Sequence, residues 1–559
     1  MSKPRVLVVG WDGATPELLV PWASEGRLPF IRKLIGSGSS GRLKSTIQPL
    51  SPQAWCTFMT GKNPGKHGIF DFTERVPGTY QVRLVNASCR LGRSLWRILS
   101  DRGHKVCVIN VPITYPPEPV NGFLISGMDT PSTSARFTHP PELAEELKKR
   151  FGEYLLGRNM WEFILKDRQA ECVAAFRAMS EQTAAVARYL LEKGEWDLFV
   201  VVFRATDESQ HLFWHCMAPD HPYAPTCDPT LGPVIPDVYK LLDSLTSTLF
   251  DAAKPSQFLL LSDHGAAPYG DKSLYLNTWL EERGYLRFKT RPAARTGIGR
   301  SRIFWNLKHL AARALPVTVK EELRRVLPGL FDKLKSASYF SHIDWESTRV
   351  FSEEVQLNLW VNLRGREPSG TVAPEDFEPL RDRVIAELYE LRDPESGRRL
   401  IEDAYRSEEL YWGAAFSKAP DVVALLASGG APVPRSSVLA ESRAPLRRVS
   451  PAEARLDLKP VAGHSLYGWL GMMGDGVLPA NELRYAHIAD LAPTILHLLD
   501  EPIPADMDGT VLVQALSTGR PIRYEAPSDE PPDGQHGQPY SPSESRQVAE
   551  RLRGLGYIE

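Results

Sequence analysis

The chain is 559 residues long, 42% hydrophobic and 24% charged, with a formal net charge of -2. That length can bury a large core, as one big domain with insertions or as two to four smaller ones. The balanced charge excludes a global attraction to nucleic acid polymers or anionic lipid, and no apolar run is long enough to span a bilayer as a transmembrane segment.

In chain order, Met-Ser-Lys-Pro-Arg leads straight into an apolar run without a signal-peptide pattern. Residues 5–10 (Arg-Val-Leu-Val-Val-Gly) read as a buried parallel strand, with Asp12 just past its end. Residues 15–38 read as an amphipathic helix. Ser51 then opens the stretch Ser-Pro-Gln-Ala-Trp-Cys-Thr-Phe-Met-Thr-Gly. Its position predicts a helix N-cap, whose oxygen accepts from the first free N–H groups. A hydroxyl there also sits at the positive end of a helix, which favours an anion such as phosphate. The plain alternative is a cap and nothing more.

Further strands are predicted at 105–111, 122–127, 196–203 and 257–261, with a mostly helical stretch over 138–194. The run 196–203 ends in Arg-Ala-Thr-Asp-Glu-Ser-Gln-His, and 257–261 ends in Ser-Asp-His-Gly. Three strands thus carry acidic residues just past their C-terminal ends, where ligands bind in open α/β sheets. Alternating strands and helices predict a mostly parallel central sheet covered on both faces.

Between 287 and 335 the character shifts to thirteen Lys or Arg against Glu321, Glu322 and Asp332. A solvated helical insertion is the plain reading of such a run; a lid over an anion-binding site is the functional one. Residues 347–363 read as extended, 375–393 as helical, 420–426 as a strand and 486–499 as a helix. His464 is placed in a loop. Residues 524–544, rich in Pro, Ser, Asp and Gly, read as a flexible linker before a short charged helix at 545–555. The boundaries expected are a core first part over 1–285, a basic helical cap over 286–345, a core second part over 346–523, and the linker with its helix over 524–559.

Cys56, Cys89, Cys107, Cys172, Cys216 and Cys227 form no CxxC pair and read as reduced, buried thiols. With no leader pattern, the expected location is cytoplasmic.

Asp207 and His211 are four apart, so a helical turn puts both on one face. Asp263 and His264 adjoin at a strand end. Each alone reads as a turn, cap or structural residue. Together with Asp12, Ser51 and His464 they resemble the alkaline phosphatase superfamily, in its type I phosphodiesterase/nucleotide pyrophosphatase branch. The resemblance rests on Gly10-Trp-Asp12-Gly, Ser51 to Gly68, Asp207-x-x-x-His211, Ser262-Asp-His264-Gly and Gly463-His464. Softer matches lie at 362–367, 419–421 and 488–494, and the tail Leu-Arg-Gly-Leu-Gly-Tyr557 looks like the end of some superfamily members.

The resemblance implies an alkaline-phosphatase-like α/β fold and two divalent cations, one held by Asp207, His211 and His464, the other by Asp12, Asp263, His264 and the Ser51 oxygen. Mixed nitrogen and oxygen ligands suit Zn²⁺ best, with Mn²⁺ the alternative. It also implies that Ser51 attacks phosphorus and becomes a phosphoseryl intermediate, on a small-molecule phosphate ester. Sulfatases of this superfamily carry a C/S-x-P-x-R motif. Here Pro52 directly follows Ser51 and Trp55 stands where that Arg would be, which argues against sulfate esters. Ala54 stands where many nucleotide pyrophosphatases have Asn, so nucleotide specificity does not carry over. The competing readings are a phosphotransferase or mutase of the same superfamily, and a non-catalytic binding protein on the same fold. His215 is assigned a structural role, and Asn63, Lys66 and His67 a role in the turn after the Ser51 helix.

Overall fold

The computed structural model describes residues 5–157, 160–289, 342–353, 356–427, 430–435, 442, 444–456, 460–517, 519–527, 540–554 and 557–558. The basic stretch expected as a cap lies almost wholly outside the described residues, as does most of the linker.

A nine-stranded sheet organises the chain. At its centre β1 (Val6–Trp11) pairs in parallel with β2 (Leu198–Phe203) on one side and β3 (Gln257–Leu261) on the other. The strands Val106–Ile109 and Gly122–Ile125 extend the parallel array beyond β2. Tyr467–Gly474 closes against β3 antiparallel, followed by Ser39–Lys44 and Asn481–Leu483, and Thr138–His139 ends the opposite edge.

These strands read as unbroken apolar runs because both faces are covered. Leu7, Val9, Trp11, Phe199, Val201 and Phe203 enter one hydrophobic cluster, while Val6, Val8, Leu198, Val200 and Val202 enter another. Successive side chains point to opposite faces, so one run supplies two cores. The register Trp11↔Phe203 and Gly10↔Leu261 ends the three central strands at one level. Whatever follows them is delivered to a common edge.

The stretch 15–38 is two helices, Pro16–Ser24 and Pro29–Ser37, where one was expected. Pro29 opens the second, since its fixed φ suits a first turn. The helix predicted over 486–499 begins as a short 3₁₀ turn at Ile488–Asp490 and continues as Leu491–Leu498. Residues 350–426 contribute a four-stranded antiparallel sheet of Val350–Ser352, Asn358–Val361, Val422–Leu426 and Ile401–Arg406, backed by the helix Phe377–Tyr389. This sheet has its own core, including Trp279, Phe351, Leu359 and Leu388.

The cysteine expectation is corrected at one pair: Cys216 and Cys227 form a disulfide, with Cα atoms 5.3 Å apart. The chain doubles back after the helix carrying Cys216, and spacing alone does not reveal such a return. Cys56, Cys89, Cys107 and Cys172 are free, and burial pushes the Cys56 thiol up to about 12.

Candidate active site

Asp12 follows β1 directly, and its backbone N–H donates to Phe203 O at 2.9 Å. Gly13 comes next with φ +68, and a Cβ there would lie 2.8 Å from the Asp207 side chain. Only glycine lets this turn approach so closely. Gly10 serves a related purpose. A Cβ there would meet the Trp55 ring at 2.6 Å, so its absence lets Trp55 lie across the strand and donate from Nε1 to Asp12 Oδ2 at 3.1 Å.

Ser51 is the first residue of α1 (Ser51–Thr60), not its N-cap. Leu50 holds the extended cap position, Pro52 occupies the first turn, and no side chain caps the helix. The Ser51 hydroxyl is therefore not spent on backbone N–H groups. Its Oγ lies 3.2 Å from His264 Nε2 and 3.4 Å from Asp12 Oδ1, and it is fully buried.

After β2 the chain enters α2 (Ala205–Met217). One turn separates Asp207 from His211, and Asp207 Oδ1 lies 3.2 Å from His211 Nε2. Thr206 Oγ1 donates to Asp12 O at 2.5 Å and Gln210 Nε2 to Gly13 O at 2.8 Å, so α2 is tied to the β1 turn. After β3, Asp263 Oδ1 accepts from Gly13 N at 3.2 Å.

His464 lies on a strand, β4 (Ala462–Ser465), not in a loop. This strand pairs antiparallel with Gly265–Pro268, setting His464 opposite Ala266. The pairing stacks the His464 and His264 rings, with centroids 3.7 Å apart. Ala-Gly-His-Ser has neither an apolar run nor alternation, which explains the missed strand.

The structure thus brings all seven side chains to one pocket. Asp207, His211 and His464 form one group whose donor atoms lie within 4.8 Å of one another; Asp12, Asp263 and His264 form a second. His215, although one turn beyond His211, joins neither group, and burial pushes it down to about 4. Asn63 caps the short helix Pro64–His67 through Gly65 N, Lys66 pairs with Asp508 at 2.6 Å, and His67 bonds to Thr57 Oγ1 at 3.0 Å.

The donor chemistry fits divalent cations. Nδ1 of His211 donates to Ala462 O at 2.7 Å, Nδ1 of His464 to Pro49 O at 2.8 Å, and Nδ1 of His264 to Gly265 O at 2.9 Å. A carbonyl only accepts, so each neutral ring turns its Nε2 lone pair into the pocket. Burial, then the carboxylates of Asp263 and Asp207, raises Asp12 well above the usual carboxylate range. Burial likewise pushes Asp263 up to about 8, and its Oδ2 accepts no hydrogen bond among the described residues. Burial opposes ionisation of Asp207 too, but His211 and His464 hold it well below its ordinary value. Three buried carboxylates and three inward lone pairs are a site built for positive charge.

Sequence reasoning missed two supports of this pocket. Trp55 was noted only as a departure from the sulfatase motif, yet it holds Asp12. Tyr557 was noted only as part of a familiar tail, yet its phenol donates to Asp207 Oδ2.

The model of a family described as type I phosphodiesterase / nucleotide pyrophosphatase matches residues 6–437. Phosphonoacetate hydrolase from Sinorhizobium meliloti 1021 superposes with a TM-score of 0.52 at 14% identity, over 89% of this chain and 99% of that one, which shows a shared fold. Human ectonucleotide pyrophosphatase / phosphodiesterase 5 gives a TM-score of 0.47 at 13% identity, over 92% of this chain and 100% of that one. No curated protein matches the chain. The architecture is alkaline-phosphatase-like, with a mostly parallel central sheet between helices.

Proposed function

The chain belongs to the type I phosphodiesterase/nucleotide pyrophosphatase family, and on that premise we propose that it hydrolyses phosphoric esters through Ser51 as nucleophile, with two divalent cations bound. Membership places it among phosphoester hydrolases; the nucleophile, the ions and the ester class are our reading. The observation that carries it is the position of Ser51 Oγ, on the first turn of α1 and within 3.4 Å of both Asp12 Oδ1 and His264 Nε2.

Asp12, Asp263 and His264, with Ser51 Oγ, would hold one ion, and Asp207, His211 and His464 the other. Two such ions, when bound, lower the pKa of a coordinated hydroxyl and neutralise charge building on the phosphoryl oxygens. Mixed imidazole and carboxylate donors favour Zn²⁺, with Mn²⁺ the alternative.

Ser51 gives up its proton, and Oγ forms a bond to phosphorus. The opposite P–O ester bond breaks, and the alcohol leaves with a proton. Water then adds to phosphorus of the phosphoseryl intermediate and Oγ departs, regaining its proton, so that phosphate or a phosphomonoester is released. The free N–H groups of α1 favour the anion throughout. Trp55 and Gly265 O hold Asp12 and His264 in place through both steps.

Among the described residues no helix is long and apolar enough to cross a membrane, and a small-molecule ester fits a pocket this deeply buried. The test is turnover of bis(p-nitrophenyl) phosphate by protein loaded with Zn²⁺ or Mn²⁺. Turnover should vanish with chelator and fall at least about 10³-fold in Ser51→Ala, with metal content unchanged. Full turnover by Ser51→Ala would refute the nucleophile.

A further inference from the structure

The end of the chain reaches the pocket. Helix α3 (Pro542–Gly554) is fastened to the segment after Gly122–Ile125 at several points. Arg551 Nη1 donates to Met128 O at 2.5 Å and Thr130 O at 2.7 Å, and Nη2 donates to Pro131 O at 3.1 Å. Tyr540 Oη donates to Asp129 O at 2.7 Å, and Tyr115 Oη to Glu544 Oε1 at 2.9 Å. Val548 and Leu552 pack in a small core with Phe72, Met128 and Tyr540. An Arg with its guanidinium on three carbonyls is a firm anchor, so this segment is not a loose tail.

Beyond α3 the chain turns back, and Tyr557 N–H donates to Leu552 O at 3.0 Å. The turn drives the Tyr557 ring inward until it is buried. It stacks on Phe72 with centroids 4.8 Å apart and meets the His211 and His464 rings edge-on, each at 5.7 Å. Its hydroxyl donates to Asp207 Oδ2.

The two oxygens of Asp207 therefore have different neighbours. Oδ1 lies 3.2 Å from His211 Nε2 and 3.5 Å from His464 Nε2, among the donor atoms of one metal group. Oδ2 is taken by the phenol. A ligating carboxylate free to rotate presents either oxygen, or both; one whose outer oxygen is held presents the inner one.

We propose that Tyr557 is a positioning residue of the active centre: its phenol holds Asp207 Oδ2 so that Oδ1 is set beside His211 and His464 for cation binding. The last residues of the chain thereby complete a site whose other parts come from the central sheet. This assignment rests on the dimetal reading above, and it concerns ion affinity, not attack by Ser51.

The test compares full-length wild type with Tyr557→Phe, which keeps the ring and removes the donor. Zn²⁺ affinity is read by competition against a chromogenic chelator. Wild type should bind two Zn²⁺. Tyr557→Phe should keep one site at wild-type affinity and bind the other about 10–100-fold more weakly, with its metal-free urea midpoint near that of wild type. Phe72→Leu disturbs the packing of the same ring while leaving the phenol, and should leave both affinities unchanged. Equal affinities in wild type and Tyr557→Phe overturn the role of Tyr557 while the dimetal centre stands. Equal weakening in Phe72→Leu and Tyr557→Phe overturns it in favour of packing. A wild type that binds no Zn²⁺ overturns the dimetal reading, and this assignment with it.

Discussion

His211 Nε2 and His464 Nε2 face each other at 3.0 Å. Each ring has its Nδ1 proton on a backbone carbonyl, so two acceptors confront one another. A proton or a cation between them removes the repulsion. Burial lowers His211, but Asp207 more than offsets it and holds the imidazole above its ordinary value, so protons compete with metal at this group.

Metal should therefore stabilise the fold by mass action. Raising free Zn²⁺ to about 100 times its dissociation constant should add about 2.7 kcal/mol per site, read as a shift of the urea midpoint that chelator reverses. His464→Ala should lower bound Zn²⁺ from two equivalents to one and remove the corresponding part of the shift. Two equivalents bound at wild-type affinity by His464→Ala would count against the ligand assignment.

Cys216 and Cys227 close a short loop at the end of α2, the helix that carries Asp207 and His211. Linking residues this close in sequence stabilises by about 2–4 kcal/mol, chiefly by restricting the unfolded chain. Cys216→Ser should lower the stability of non-reduced protein by about that amount. Dithiothreitol should then lower wild type to the level of the variant. Equal urea midpoints for wild type with and without reductant would show that the bond contributes nothing. The bond suits an oxidising compartment, so the cytoplasmic expectation from the sequence needs a direct test, such as thiol labelling in intact cells.

The central strands were legible because Val, Leu and Phe run unbroken through β1, β2 and β3, as buried parallel strands do. Asp12 and Asp263 were legible for a related reason: each follows a strand end within two residues. The position of Ser51 was legible to within one residue. The cap rule favours Ser before the first turn, but Pro52 starts helices so well that the boundary moved ahead of it. His464 was visible only through the Gly-His resemblance, since its strand is formed by pairing with Gly265–Pro268 and not by its own residues. The Cys216–Cys227 bond and the Tyr557–Asp207 contact were not legible at all. Both depend on where the chain returns after long or irregular excursions, and no local pattern encodes that.

His67 is the remaining residue whose chemistry the fold changes. It is fully buried after α1, where Nδ1 accepts from Ile69 N at 3.2 Å. The ring proton is therefore on Nε2, donating to Thr57 Oγ1 at 3.0 Å. Burial, then Arg90 and Lys62, pushes the imidazole down to about 3 from an ordinary 6.5. In the unfolded chain it takes a proton below about 6.5, whereas in the folded chain it stays neutral until about 3. The unfolded state thus binds more protons across that window. His67 contributes its full stability above about 6.5, and the contribution is lost as pH falls toward about 3, with a limiting slope near 1.4 kcal/mol per pH unit. His67→Asn keeps an acceptor for Ile69 N–H and cannot titrate. Urea midpoints for wild type and His67→Asn between pH 8 and pH 4 should therefore converge as pH falls, with wild type more stable at pH 8. Because other buried groups titrate alike in both proteins, their effects cancel in the difference. Parallel curves would mean that His67 is protonated in the folded state and that the Thr57 and Ile69 hydrogen bonds assigned above are wrong.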